Sequence, residues 1–193
     1  MLNDAVLLLY LLNFLFIALL PAIFFRHDGS LNVMWWLTAA PFFFCAAFLI
    51  AAYVGLFPAA VDHNTRVGDV LELASVVLST ASIALIALTL GTHRIPIALW
   101  HQDNDTPEHI VTYGAYRYIR HPFYAAFLLT LFGAFLFAPH PVTLITFVYG
   151  LIALNLTAAK EEVKLSTSKF GTDYVVHQES TGRFWPKFWR IPQ

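Results

Sequence analysis

One stretch of this sequence combines aromatic, cationic and imidazole groups with a proline: Tyr113 to Tyr124, YGAYRYIRHPFY. About forty residues later stands an adjacent acidic pair, Glu161 and Glu162. Arginine and histidine can hold an anionic group, tyrosines can wall a flat ring, and a carboxylate can take hydroxyls or an amine. Together they suit the binding of a polar small molecule, and ionisable groups at a membrane boundary are costly unless paired or used. Taken singly, Arg117, Arg120 and Tyr124 also fit snorkelling and aromatic-belt positions, and Glu161 beside Lys160 or Lys164 fits a solvated helix face.

The surrounding elements must bring the two clusters together. Of 193 residues 59% are hydrophobic and only 12% charged, so the chain reads as an integral membrane protein. Five apolar runs appear: Ala5–Phe25, Val33–Phe57, Val70–Leu90, Pro122–Ala138 and Val142–Ala159. Each is read as a spanning helix, since about twenty residues cross a bilayer core of roughly 30 Å. The fold class is therefore all-α, with residues 1–90 a three-helix membrane anchor and 91–193 a functional core. Within the first run, Asn13 reads as an interhelical contact and Pro21 as a kink. Trp35 and Trp36 suit an interfacial belt. Asp69 is the expected N-cap of the third helix, with Glu72 in its first turn.

The last two runs are joined only by Pro139, His140 and Pro141, which forces a tight antiparallel hairpin, 122–159. His121 lies about eighteen residues before that joint and Glu162 about twenty-two after it, so their heights differ by roughly 6 Å. Pro122 suits the first position of its helix, and its fixed backbone restricts His121. His121, Tyr124 and the acidic pair should meet at the open end of the hairpin. A charged segment, Lys160 to Lys169, and a tail ending TGRFWPKFWRIPQ follow; the tail's rings suit the headgroup boundary and its cations the phosphates, closing a lid over the site.

Positive charge sorts the spans. With five helices, ten of the 11 Lys and Arg fall on one side and only Arg66 on the other, which puts the loop 91–121 and the C-terminus in the cytoplasm and the N-terminus outside. A net charge of -1 and the absence of a basic, aromatic-interleaved stripe outside the last ten residues exclude a typical nucleic-acid binder. The one cysteine, Cys45, reads as a small buried side chain, without a disulfide or thiolate cluster. His93, His101, His109 and His121 are spaced by eight or twelve residues, unlike the i, i+4 pairs of helical metal sites, so no metal is expected.

The stretch HIVTYGAYRYIRHPFY, the Glu161–Glu162 pair, FGTDY and the closing TGRFWP resemble the isoprenylcysteine carboxyl methyltransferase and phospholipid methyltransferase family, integral membrane enzymes that use S-adenosylmethionine. The resemblance covers about Gly91 to Pro186. It implies cofactor contacts at Glu108, His109, Ile110, Val111, Tyr116, His121, Pro122, Phe123, Tyr124 and Glu162, with Arg120 a candidate for the catalytic role and a lipophilic acceptor arriving from the bilayer. The isoprenylcysteine branch carries an arginine four residues before the second Glu, where this chain has Ala158. The glycines never occur as G-x-G, so a soluble dinucleotide cradle is absent. A second reading, an NADPH-dependent reductase of the sterol reductase type, shares a similar C-terminal region and would want basic residues for the extra phosphate.

Overall fold

The computed structural model describes residues 2–19, 25, 28–57, 65–92 and 110–187. Pro21, Arg26, His93, Arg94, His101, Glu108, His109 and Phe188–Arg190 lie outside the described residues.

Among the described residues six α-helices follow one another: α1 Asp4–Leu19, α2 Val33–Tyr53, α3 Arg66–Thr92, α4 Pro122–Phe137, α5 Pro141–Ser166 and α6 Gly171–Ser180. A short 3-10 turn, Gly114–Arg117, precedes α4. Three of these are long and apolar enough to cross a membrane, Trp35–Tyr53 within α2, α3 and α5, while Asp4–Leu19 and Pro122–Phe137 are shorter apolar helices. The 16 residues of α4 rise about 24 Å, short of a full hydrocarbon core.

The bundle is built on α4, which packs against α3, α5, α1 and α2. Most of its residues are buried, from Pro122 at its start to Phe137 at its end. Close packing on α3 needs small residues, since helices approach as near as their interface side chains allow. Gly133 supplies one: a Cβ there would run into the Tyr10 hydroxyl and lie 3.2 Å from the Ser75 carbonyl. Ser75, Ser79, Ser82 and Thr89 line the buried face of α3.

That face carries a neutral polar network. Asn13 Nδ2 donates to Ser79 Oγ (3.0 Å) and Thr130 Oγ1 (3.1 Å), joining α1, α3 and α4 as its interhelical reading requires. Thr130 donates to Ser82 Oγ at 2.6 Å, and the Tyr10 hydroxyl to the Ser75 carbonyl at 2.7 Å. The Asn13 amide nitrogen and the hydroxyls of Thr130 and Tyr10 thereby find partners on neighbouring helices, while Asn13 Oδ1 has none among the described residues. Cys45 is buried.

The structure corrects two expectations. The third helix begins at Arg66 rather than beyond Asp69, because Thr65 Oγ1 accepts from the Gly68 amide (3.2 Å) and caps it one turn earlier. Asp69 then sits in the first turn, and Glu72 accepts from Asn3 Nδ2 at 2.9 Å. Trp35, expected in an interfacial belt, is 2% exposed and meets Trp36 edge-on at 4.8 Å; Trp36 alone of the two faces outward. The hairpin joint is as short as its prolines demand. His140 caps α5, with Nδ1 accepting from the Val142 amide and Thr143 Oγ1 accepting from the His140 amide, and its ring stacks on Phe48 at 4.6 Å. The charged segment continues α5 as far as Ser166.

Candidate functional site

The open end of the α4–α5 hairpin gathers the charged residues. His121 is the N-cap of α4, with Pro122 at its start, so the imidazole leaves the helix where the backbone is fixed. On the facing helix, Glu161 and Glu162 lie one residue apart and present carboxylates to different partners. His121 Nδ1 is 3.4 Å from Glu161 Oε2 and its Nε2 3.3 Å from Glu162 Oε1. The Tyr124 hydroxyl donates to Glu161 Oε1 at 2.7 Å, and the rings of His121 and Tyr124 are parallel at 5.3 Å. Burial works against a charged His121, but the two carboxylates outweigh it and hold the imidazole above its ordinary value.

Glu162 is 5% exposed and is the hub. Arg120 Nε donates to Oε1 at 2.9 Å, Arg183 Nε to Oε1 at 3.1 Å and Arg183 Nη2 to Oε2 at 2.6 Å, and Gln178 Nε2 adds 3.3 Å to Oε2. A buried carboxylate is tolerated when its lone pairs are filled in this way. Arg120 also donates through Nη1 to the Gln178 carbonyl (3.2 Å) and closely to that of Thr181. Its Nη2 makes no hydrogen bond to a described residue.

The tail is drawn in by backbone as well as by charge. Residues Ile119 and Gly182 form a parallel bridge, with the amides of Arg120 and His121 donating to the carbonyls of Gly182 (2.9 Å) and Arg183 (3.0 Å). A side chain at Gly182 would collide with the Trp185 carbonyl, so this position admits only glycine. Phe184 is buried and stands edge-on to both His121 (6.2 Å) and Tyr124 (6.5 Å). Arg183 and Phe184, expected among lipid headgroups, therefore face inward, while Trp185 is exposed. Lys187 caps α6 by donating to the carbonyls of Gln178 and Glu179.

Of the residues singled out in the sequence, Arg120, His121, Pro122, Phe123, Tyr124 and Glu162 come together here. Tyr116 is half-buried in the 3-10 turn; burial, then the Glu161 charge, keeps its phenol protonated. Ile110 is half-buried and Val111 buried ahead of that turn. Among the described residues no group of three His, Cys, Asp or Glu could hold a metal ion.

Sequence reasoning missed Arg183, Asn155 and Gln178 as partners at this end, and Tyr174 and His177, the buried residues of α6. A signal for Arg183 exists: a carboxylate buried at a helix-pair mouth needs cations, and the flanking loop and tail supply Arg94, Arg117, Arg120, Arg183 and Arg190.

Residues 92–167 match the isoprenylcysteine carboxyl methyltransferase (ICMT) family. This ICMT-family segment marks the chain as a membrane methyltransferase, and it contains both halves of the site, Arg120–Tyr124 and Glu161–Glu162. The ICMT-family match ends before α6 and the tail that complete the charge cluster. No curated protein matches the chain.

Proposed function

We propose that the chain uses S-adenosylmethionine to methylate a lipophilic acceptor that enters from the bilayer, with residues 91–193 as the methyltransferase core and 1–90 as its membrane anchor. The single observation that carries this reading is the convergence of His121, Tyr124 and both carboxylates at the open hairpin end, inside the ICMT-family segment. The donor set suits the cofactor. Arg120 Nη2 and His121 are cations for an amino-acid carboxylate, Tyr116, Tyr124 and Phe184 are flat walls for adenosine, and Glu161 is an acceptor for its hydroxyls or amine. Glu108, His109, Ile110, Val111, Pro122 and Phe123 would complete the pocket. Glu162, already filled by two arginines, would act chiefly by holding Arg120 and the tail in place.

When bound, the cofactor supplies a sulfonium methyl: the acceptor's electron pair forms the new bond to carbon, and the sulfur keeps the pair of the broken one. This chain's own residues then need to position the acceptor in line and exclude water. Phe184 and the buried face of α4 at Phe123 and Tyr124 serve the second need. Ala158, fully buried one turn before Glu162, offers no charge to a substrate carboxylate, and Arg183 is bonded to Glu162 and Asn155. These features favour an acceptor other than a prenylcysteine carboxylate. The positive-charge bias supports a cytoplasmic site and C-terminus with the N-terminus outside; reporters fused at Met1 and Gln193 should read opposite sides.

Calorimetry on the purified chain in detergent separates the enzyme classes. Micromolar binding of S-adenosylhomocysteine without NADPH binding is expected, and tight NADPH binding in its place would overturn the methyltransferase reading in favour of a reductase.

A further inference from the structure

Helix α6 buries two side chains, Tyr174 and His177, against the rest of the protein. Tyr174 is 3% exposed, and its hydroxyl is sealed from solvent yet has no hydrogen-bond partner. Buried hydroxyls are paired in the large majority of folded proteins, so an orphan of this kind calls for a reason. A phenylalanine would fill the same space without stranding a donor. The hydroxyl also has a particular setting. It senses the charges of Glu162, Arg120, Glu161 and Arg183. It sits one helical turn before Gln178, whose carbonyl accepts from Arg120 and whose amide donates to Glu162.

The balance of donors and acceptors indicates what is missing. Glu162 has both oxygens occupied. Burial and the neighbouring carboxylate hold the Tyr174 phenol protonated, so it can donate. Arg120 Nη2 is a second donor without a described partner. Two donors without a described partner, one on the α6 face that carries Gln178 and one on the guanidinium that Gln178 engages, suit an anionic oxygen.

We propose that Tyr174 is a ligand-contacting residue of this site, its hydroxyl donating to an oxygen of the bound cofactor's carboxylate alongside Arg120. The proposal rests on the methyltransferase reading above and extends it to α6, which lies outside the matched segment. It separates Tyr174 from a tyrosine that serves the fold: here the hydroxyl contributes nothing to the ligand-free protein and something only when ligand is present.

The test uses the full chain in detergent, wild type and Tyr174→Phe, with S-adenosylhomocysteine as the probe, read by calorimetry and by thermal unfolding with and without it. The expected result is an unchanged or higher ligand-free melting temperature, about tenfold weaker binding and a smaller ligand-induced melting shift in Tyr174→Phe. Binding as tight as the wild type overturns the assignment of Tyr174 alone. A lower ligand-free melting temperature with unaltered affinity does the same and makes the hydroxyl a structural group held by internal water. Failure of the wild type to bind the probe overturns the cofactor reading and this proposal together.

Discussion

Among the described residues two buried polar clusters are built from opposite materials. Between α1, α3 and α4, Asn13, Ser79, Ser82 and Thr130 exchange neutral hydrogen bonds deep among apolar side chains. At the open end of the α4–α5 hairpin, Arg120, His121, Glu161, Glu162 and Arg183 exchange charged ones. Neutral hydroxyls can be absorbed by a helix interface at little energetic consequence, and their partners lie on helices that pack together anyway. Charged groups are costly to bury and need partners from distant parts of the chain: Glu162 reaches back to Arg120 and forward to Arg183. The first cluster sets how closely helices approach; the second ties the tail across a site.

Four substitutions should separate the two roles. The largest effect is expected at Glu162→Gln. It leaves a buried guanidinium at Arg120 and a partly buried one at Arg183 without counter-charge, lowering stability by about 3–5 kcal/mol in thermal unfolding. Cofactor affinity should fall about ten- to a hundredfold with it, because Arg120 and the tail lose the carboxylate that orients them toward the ligand. A change no larger than that of a surface carboxylate would make the hub irrelevant.

Arg183→Gln comes next. Its side chain is 30% exposed, so solvent screening reduces the loss to about 1–2 kcal/mol. The clearer signature is release of the tail, read as faster tryptic cleavage at Lys187. Equal cleavage rates would show that the backbone bridge at Gly182 holds the tail without the guanidinium.

His121 gives the charged cluster a pH dependence that the neutral one lacks. Its imidazole is held above its ordinary 6.5 by the two carboxylates, which outweigh burial. Protonated His121 therefore contributes stability that is complete below pH 6.5 and is lost as pH rises through the folded value. The melting-temperature gap between wild type and His121→Gln should narrow from acidic to alkaline pH. A constant gap would mean that the ring is packed but not paired.

The smallest effect belongs to Thr130→Val in the neutral network, about 0.6 kcal/mol, the average worth of such interhelical bonds in membranes, with no change in cofactor affinity.

The hairpin was legible because local chemistry dictates it. Pro122 and Pro141 each open a helix, and the three residues between the helices leave no room for anything but an antiparallel return. From there the meeting of His121 with the acidic pair is a matter of counting residues. The start of α3 was misread because Asp69 and Thr65 are both good caps, and only the backbone reveals that Thr65 accepts first. The tail was misread for a different reason. Arginines alternating with aromatic rings look alike whether they face headgroups or a buried carboxylate, and Glu162's need for a second cation becomes visible only once its burial is known. Tyr174 closes the FGTDY stretch, but nothing in its sequence neighbours marks its hydroxyl, because an orphaned hydroxyl is a property of packing.

The central claim, that the open hairpin end and the tail together form a cofactor site while the neutral cluster serves packing, is tested most directly by amide hydrogen exchange with and without S-adenosylhomocysteine. The account predicts slower exchange on binding at residues 118–124 and 181–185, whose amides include those bridging Ile119 and Gly182, and no change at 75–82 on α3. Protection confined to α3, or none at the hairpin end while binding is independently measured, would contradict it.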